Sequence, residues 1–367
     1  MNFGLRNAAV DLTQFEDFNE IIQSITENIR SLSDWNQFNT YCTQFKNNYT
    51  AEIIKLIKND KIKADAEKQW EDIFDCVSVE GTDETDLRIF YTCLYHTLLD
   101  PRIMADVDGR FPLNGEILRS EKYTYRTMFS GWDVYRSEFP LLTVIRPDIV
   151  SDEANSLIKI AETNNASLPR WELMGIDAGC MVGDPGIIVI ADAFLKGIRN
   201  FDYEKAYEIA KASVLCKKEL FGKKFKSNRP DCKQYIENAF VPKKISETLE
   251  YLLADYTLYR FAEALGKKDD AEYFLERTKK YPENYNKRLG FLISRRKNGW
   301  FCFERDIYDG IGCVESNIFQ QSWFVPYDVE GLSRLFGEER TIKLLERFFE
   351  EADFGRLWNE SYNHSNE

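Results

Sequence analysis

Apolar residues recur at helical spacing along most of the chain. Between residues 84 and 99 they fall three or four positions apart, on one face of a helix: Leu87, Phe90, Tyr91, Leu94 and Leu98. The same spacing predicts a helix that starts near Ser246 and stops at Gly266, and Ser151 is predicted as the N-cap of another. Further helices are predicted over 187–198, 202–218, 267–280, 327–336 and 338–351. The protein is therefore predicted to be mainly α-helical.

The predicted helices come in consecutive pairs, joined alternately by short turns and by long loops rich in glycine and aromatic residues: 100–131, 166–186 and 299–326. This pattern favours helical hairpins arranged in a ring or a superhelix. A brief strand signal lies near residues 299–304. Residues 1–64 are predicted to form a helical lead-in, and residues 65–367 the main domain.

Composition and charge narrow the classes of function. A chain of 367 residues, 44% hydrophobic and 14% aromatic, can bury a sizeable core. The formal net charge of −13 argues against nucleic acid as a partner and suits a neutral substrate. The first residues lack a basic stretch followed by an apolar run, and no apolar run reaches about 18 residues. The sequence predicts neither an export signal nor a membrane span, and it indicates no protein partner.

The chain has eight cysteines and two histidines. No two cysteines form a CxxC pair, so a zinc ribbon is not expected, and we expect free, buried thiols instead of a disulfide framework. The histidines make no metal motif. Cys180 has no histidine nearby in sequence, which disfavours nucleophilic Cys–His chemistry.

The stretch "MFSGWDVYRSEFPLL" (128–142) places four chemically different groups within five residues. Trp132 and Tyr135 offer rings that can stack on the C–H faces of a sugar. Asp133 and Arg136 can hydrogen-bond to sugar hydroxyls. Taken alone, the stretch is equally consistent with the start of a helix that holds a buried Asp–Arg pair.

The stretch "LPRWELMGIDAGCMVGDPGIIVIADAFLKGI" (168–198) is punctuated by four glycines, which allow the backbone to approach a ligand closely. Its spacing matches neither a dinucleotide fingerprint nor a phosphate-binding loop. Polar and aromatic side chains lie between the glycines: Trp171, Glu172, Asp177, Cys180 and Asp184. The alternative interpretation is a connecting loop before a buried helix.

The stretch "GIGCVESNIFQQSWFVPYDVEGL" (310–332) contains one carboxylate among apolar residues. An apolar setting raises the pKa of a carboxyl group, which is the adjustment that a general acid requires, so Glu315 is a candidate. Gln320 and Gln321 add oxygen atoms that could bind a cation. The alternative is an exposed glutamate on an amphipathic segment.

Together these stretches resemble the family-92 glycoside hydrolases, the calcium-dependent α-mannosidases. Two further stretches carry the resemblance, "IFYTCLYHTLLDPRIMADVDGRF" and "SETLEYLLADYTLYRFAEALGKKDDAEYFLERTKKY". The likeness runs from about Asp65 to Glu367. Several motifs in the same order and at family-like spacing make the resemblance specific.

The resemblance implies an (α/α)₆ toroid that follows an N-terminal β-sandwich, with the site between the two. It implies an exo-acting, inverting hydrolase that removes terminal α-linked mannose from glycans such as N-glycans. Glu315 aligns with the family's general acid. An inverting enzyme also needs a base that activates water on the opposite face of the sugar ring.

The resemblance also implies a binding site for mannose and for Ca²⁺. Mannose contacts are expected from two of the stretches and from the chain end: Trp132, Asp133, Arg136, Trp171, Glu172, Cys180, Met181 and His364. Calcium takes about six to eight oxygen ligands, and Glu367 and Gln320 are the candidates here. Family members are usually secreted or periplasmic, whereas this sequence leaves the compartment open.

Two segments of the family pattern are not found, namely the β-sandwich and the chain that supplies the general base after Glu367. We therefore expect a partial toroid, inactive when isolated. The alternatives are a mannose-binding remnant without catalysis and another (α/α)₆ glycosidase, such as one acting on trehalose. A helical-repeat scaffold for protein partners is disfavoured because no constant period of about 34–45 residues occurs.

Overall fold

The computed structural model describes residues 60–81, 83–229 and 231–353. The chain divides into two compact units, residues 1–109 and residues 110–367, which are considered separately. The predicted division between a lead-in over 1–64 and a domain over 65–367 stays a prediction.

The described part of the first unit contains two helices and a short strand: α1 (Asp60–Phe74), α2 (Glu84–Thr97) and β1 (Arg102–Ile103). The helix predicted between residues 84 and 99 is confirmed as α2. It begins after Asp83, whose carboxylate accepts backbone N–H groups of Thr85 at 2.7 Å and Asp86 at 3.3 Å. The rings of Trp70 on α1 and Tyr95 on α2 lie 4.7 Å apart and join the two helices.

The second unit is built mainly of helices, as the sequence predicts: α3 (Gly131–Val134), α4 (Glu138–Ile145), α5 (Pro147–Asn164), α6 (Pro185–Leu195), α7 (Tyr203–Val214), α8 (Cys232–Asn238), α9 (Ile245–Ala264), α10 (Lys268–Thr278), α11 (Ile318–Gln321), α12 (Val329–Phe336) and α13 (Glu338–Asp353). Consecutive helices pack together in five cases, α4 on α5, α5 on α6, α6 on α7, α9 on α10 and α12 on α13. Such pairs are consistent with helical hairpins, while the closed ring of a toroid stays a prediction.

Short strands occupy the loops between the helices: β2 (Arg110–Leu113), β3 (Glu116–Arg119), β4 (Arg126–Thr127), β5 (Glu172–Leu173), β6 (Ile176–Asp177), β7 (Glu219–Leu220), β8 (Lys223–Lys224), β9 (Tyr285–Asn286) and β10 (Phe291–Leu292). Four antiparallel hairpins result, β2–β3, β5–β6, β7–β8 and β9–β10. The strand signal near 299–304 corresponds only to an isolated bridge between Phe301 and Arg295.

The predicted N-cap at Ser151 is wrong. Helix α5 begins one turn earlier, at Pro147, because proline has the backbone angle of a first helical residue and lacks the N–H that would go unpaired there. Ser151 is buried inside the helix, where its hydroxyl donates to the backbone oxygen of Asn200 at 3.0 Å.

Helix α9 is the central element of the second unit. It packs against α6, α7 and α10, and most of its residues are buried. Its predicted start at Ser246 and its end before Gly266, whose φ is +73°, are confirmed. Because α9 is buried on nearly every side, polar side chains at its first turns must find partners within the protein.

The expectation of free, buried cysteines is wrong for most of the described cysteines. Cys216 and Cys232 form a disulfide, with their Cα atoms 6.3 Å apart. Cys93 and Cys180 are free but exposed, and Cys302 is free and buried. A separation of 16 residues gives no signal of pairing; the fold brings the end of α7 to the start of α8.

Candidate functional site

Three polar side chains at the start of α9 form hydrogen bonds with the three stretches identified in the sequence. Ser246, Glu247 and Glu250 lie one and four positions apart, so they share one face of the helix. All three residues are at most 5% exposed. Each accepts or donates hydrogen bonds to a different part of the loops at this end of the helix.

The first stretch is anchored on Glu250. Its carboxylate accepts the indole N–H of Trp132 at 3.2 Å, the hydroxyl of Tyr135 at 3.2 Å and an Nη2–H of Arg136 at 3.0 Å. The guanidinium carbon of Arg136 lies 5.3 Å from the Trp132 ring centroid and 4.8 Å from that of Phe324. An anion that accepts from three donors is a strongly held anchor inside a protein.

The second stretch is anchored on Glu247. Its carboxylate accepts an Nη1–H of Arg170 at 3.4 Å and the backbone N–H of Gly183 at 3.4 Å. The same Nη1 group donates to the backbone oxygen of Met181 at 2.8 Å. Arg170 therefore ties the loop that contains Cys180 and Met181 to the start of α9.

A second network holds the same loop further along. Asn228 donates its side-chain amide to Asp177 at 2.7 Å. Arg229, fully buried, donates to Asp184 at 2.5 Å and to Asp255 of α9 at 3.2 Å. Two aspartates of the stretch are thus engaged with protein groups.

The third stretch is anchored on Ser246. The Ser246 hydroxyl donates to the side-chain oxygen of Gln321 and accepts the backbone N–H of Val314 at 2.9 Å. Its backbone N–H donates to the oxygen of Gly312 at 3.1 Å. Glu315 follows directly, half-buried, with a φ of +51° in the left-handed region that non-glycine residues rarely adopt. Such strain often accompanies a functional position.

Glu172 lies inside the protein, beneath the β5–β6 hairpin. It is 0% exposed, and its carboxylate accepts the hydroxyl of Thr127 at 2.8 Å and the N–H groups of Met128 at 2.9 Å and of Gly175. Burial raises the pKa of Glu172, and these hydrogen bonds partly oppose the shift. The residue ties the first stretch to the second.

The structure places the sequence-predicted residues at different depths. Two of them are exposed, Asp133 and Cys180, and two are buried, Trp132 and Glu172. The others are half-buried: Arg136, Trp171, Met181 and Glu315. Their contacts bring all three stretches to one end of α9. His364 and Glu367 lie outside the described residues. The assignment of these residues to mannose stays a prediction.

The described residues do not by themselves assemble a calcium site. Within ranges 60–81, 83–229 and 231–353, no group of three or more His, Cys, Asp or Glu side chains could hold a metal ion. The side-chain oxygen of Gln320 accepts the backbone N–H of Asn317 at 3.0 Å, in a capping box at the start of α11. Since Glu367 lies outside these ranges, no chemical step is assigned to a metal below.

Sequence reasoning missed Glu247 and Glu250, although both lie in a stretch that carries the family resemblance. A signal was present: Glu247 and Glu250 lie three positions apart in "SETLEYLLADY", beside the apolar residues Leu249, Leu252 and Leu253. A carboxyl group on the buried face of a helix is either paired or protonated, so it indicates a neighbouring cation or a raised pKa. The sequence did not indicate that Arg136 and Arg170 are those cations.

The mainly helical fold is similar to that of solved glycosidases. The chain is similar to the family GH92 α-mannosidase BT3965 from Bacteroides thetaiotaomicron, with 30% identity and a TM-score of 0.72 over 80% of this chain and 39% of that one. It is also similar to the family GH92 inverting mannosidase BT2199 from Bacteroides thetaiotaomicron VPI-5482, with 29% identity and a TM-score of 0.71 over 78% of this chain and 40% of that one.

The glycosyl hydrolase family 92 catalytic domain matches residues 44–367. The chain therefore belongs to glycosyl hydrolase family 92. An uncharacterized secreted glycosidase of Arthroderma benhamiae is 20% identical, over 76% of this chain and 36% of the relative. The chain thus spans less than half the length of these relatives. Among the described helices, none has the length and apolar character needed to cross a bilayer.

Proposed function

We propose that the protein containing this chain hydrolyses terminal α-linked mannose from glycans, with inversion at the anomeric carbon. The observation that carries the proposal is the convergence of the three stretches on Ser246, Glu247 and Glu250, in a chain of family 92. Two relatives described as mannosidases, one of them as inverting, support the choice of sugar and outcome.

Glu315 is proposed as the general acid that protonates the departing glycosidic oxygen. A half-buried carboxyl group on a loop fixed at Val314 and Asn317 can hold a proton at a defined place beside a ligand. Asp133, exposed on α3, is proposed to accept hydrogen bonds from sugar hydroxyls. The guanidinium of Arg136 against the rings of Trp132 and Tyr135 supports a fixed conformation of the residues beside it in sequence.

The proposal is tested by the products that the natural protein releases from α-mannobiose. Proton NMR should show β-mannose first, because an inverting hydrolase reverses the anomeric configuration. Glu315→Gln should slow release by about 10²- to 10⁴-fold, while Glu330→Gln, at an exposed position on α12, should leave it unchanged. α-Mannose as the first product would contradict inversion, and glucose release from trehalose without mannose release would favour a different glycosidase.

The isolated chain of residues 1–367 is expected to release no mannose, since the family resemblance predicts the general base outside it. The same assay, with this chain in place of the natural protein, tests the expectation. If the isolated chain turns over, a base lies within it, and Asp133 and Asp177 are the first residues to replace. If it binds mannose without turnover, the binding-remnant alternative gains support.

Calcium dependence is a separate proposal, based on the family resemblance and on oxygen ligands at Gln320 and Glu367. Activity of the natural protein should be lost in EGTA and restored by calcium but not by zinc, which prefers nitrogen and sulfur ligands. Gln320→Ala should raise the calcium concentration needed for half-recovery. Unchanged activity after prolonged chelation would overturn this assignment.

Secretion or export is proposed for the natural protein. The Cys216–Cys232 disulfide supports it, because disulfides persist in oxidising compartments. Fractionation of the source cells, with an antibody against this chain, tests the proposal. A pool confined to the reducing cytosol would contradict it.

A further inference from the structure

We propose that Glu250 is a positioning residue, which fixes the two loops that carry Asp133 and Cys180 in the geometry required for mannoside turnover. The inference rests on the proposed function, since it assigns a role within the same site. Glu250 does not face solvent, at 1% exposure, and thus acts through the groups that it binds.

The first loop cannot hold its own shape. Helix α3 has only four residues, and Ser130 at its N-cap makes no side-chain capping bond. A helix this short is not stable alone, because its nucleation cost exceeds the gain from its few hydrogen bonds. Its conformation must come from tertiary contacts.

Glu172 holds the start of this loop through Met128, and the three contacts of α3 itself lead to Glu250. Trp132, Tyr135 and Arg136 all donate to Glu250, at 3.2, 3.2 and 3.0 Å. These three residues turn inward, whereas Asp133, between them in sequence, is exposed. Glu250 therefore fixes the inner face of α3, and Asp133, whose carboxylate accepts the hydroxyl of Ser130, is held on that same short helix.

The second loop packs directly on the same carboxylate. Gly183 has a φ of +80°, and a Cβ atom added there would lie 2.8 Å from Oε2 of Glu250. Such a distance leaves no room for a side chain, so the loop and the carboxylate share one surface. Any change in the position of Glu250 is transmitted to the loop that carries Cys180 and Met181.

The substitution Glu250→Gln tests the inference with little change of shape. The amide oxygen can still accept from Trp132 and Arg136, which both donate to Oε1, but the negative charge that pairs with Arg136 is lost. Glu263→Gln is the matched control, on the same helix but exposed, where the carboxylate contacts Arg260 at 3.3 Å and accepts the hydroxyl of Tyr259 at 3.3 Å.

Hydrogen exchange on residues 1–367 gives the first readout. Glu250→Gln should speed exchange of backbone amides in 128–137 and 168–184 by about tenfold or more, since a charge-assisted bond is lost. Exchange over 202–214, on α7, should not change. The proposal would be overturned if exchange became faster by the same factor in 128–137, 168–184 and 202–214, or if it did not change in either loop.

Activity of the natural protein gives the second readout, with α-mannobiose and an aryl α-mannoside that has a good leaving group. Glu250→Gln should lower kcat/KM by roughly 10- to 100-fold on both substrates alike, because misplacement affects the bound sugar and not the leaving group. Glu315→Gln should spare the aryl substrate. A selective loss on mannobiose by Glu250→Gln would overturn the positioning role.

Two further outcomes are distinguishable. If the wild-type protein hydrolyses neither substrate, the proposed function fails, and the exchange measurement alone decides whether Glu250 positions the loops. If Glu250→Gln does not fold, Tyr135→Phe removes one of the three donors without changing the packing. It should lower kcat/KM about three- to tenfold on both substrates at an unchanged melting temperature. Wild-type activity in Tyr135→Phe would then count against the proposal.

Discussion

Glu153 on α5 should make the stability of the protein fall as the pH rises from 5 to 7, and Glu153→Gln should remove this dependence. The side chain is 0% exposed, and neither carboxylate oxygen has a hydrogen-bond partner among the described residues. Burial, and next the negative charge of Glu172, raise the pKa of Glu153 well above its ordinary value, against a smaller opposing effect of Arg126.

The sign follows from proton binding. A carboxyl group whose pKa is higher in the folded state holds its proton there while the unfolded chain releases it. Stability is therefore fully present below the unfolded pKa, near 4.5, and is lost as the pH rises toward the folded pKa. The loss approaches about 1.4 kcal/mol per pH unit wherever the folded protein keeps the proton and the unfolded chain has released it.

Urea denaturation at pH 5, 6, 7 and 8 measures the free energy of unfolding of both proteins. Glutamine has nearly the same shape as glutamate and cannot ionise. The free energy of unfolding of Glu153→Gln should therefore rise relative to that of the wild type as the pH rises. The cost of burying the amide does not depend on pH and leaves this trend unchanged. Glu162→Gln, on the same helix and paired with Lys205 at 2.8 Å, is the control and should show no such gain. A difference between variant and wild type that is constant with pH, or that falls, would refute the reasoning.

Three other outcomes are expected. Glu315→Gln should reduce turnover of α-mannobiose by about 10²- to 10⁴-fold but affect an activated aryl mannoside much less, as measured by steady-state kinetics; equal losses would exclude the acid role. Gly183→Ala should lower the free energy of unfolding by about 1–3 kcal/mol more than Gly197→Ala, as measured by urea denaturation. Both glycines have positive φ, but only at Gly183 would the added methyl group meet the buried carboxylate of Glu250. Equal losses of stability would mean that the loop can move away from Glu250. Peptide mapping without reductant should find Cys216 joined to Cys232; alkylation of both thiols in the native protein would contradict the disulfide.

Periodicity was sufficient to predict most of the longer helices, but it gave no prediction of α4 or α8. The face of α2, the start of α9 and its end at Gly266 agree with the structure because a helix depends on contacts three or four residues apart, which the sequence displays directly. The prediction was wrong at Ser151, where two local rules compete. Serine favours the N-cap, but Pro147 favours the first helical position and starts the helix one turn earlier. The five-residue grouping at Trp132 and the loop position of Glu315 were likewise visible in sequence.

What the sequence could not show is which distant groups meet. Glu250 lies 114 positions from Arg136, and Glu247 lies 77 positions from Arg170, yet each pair is in contact. Sequence spacing carries no information over such separations, since pairing across them depends on how the helices pack around α9. The amino-acid sequence thus determined the helices, the candidate loops and the family; the tertiary structure decided that a buried carboxylate on α9 holds Arg136, because a charge removed from water must find its partner wherever the fold provides one.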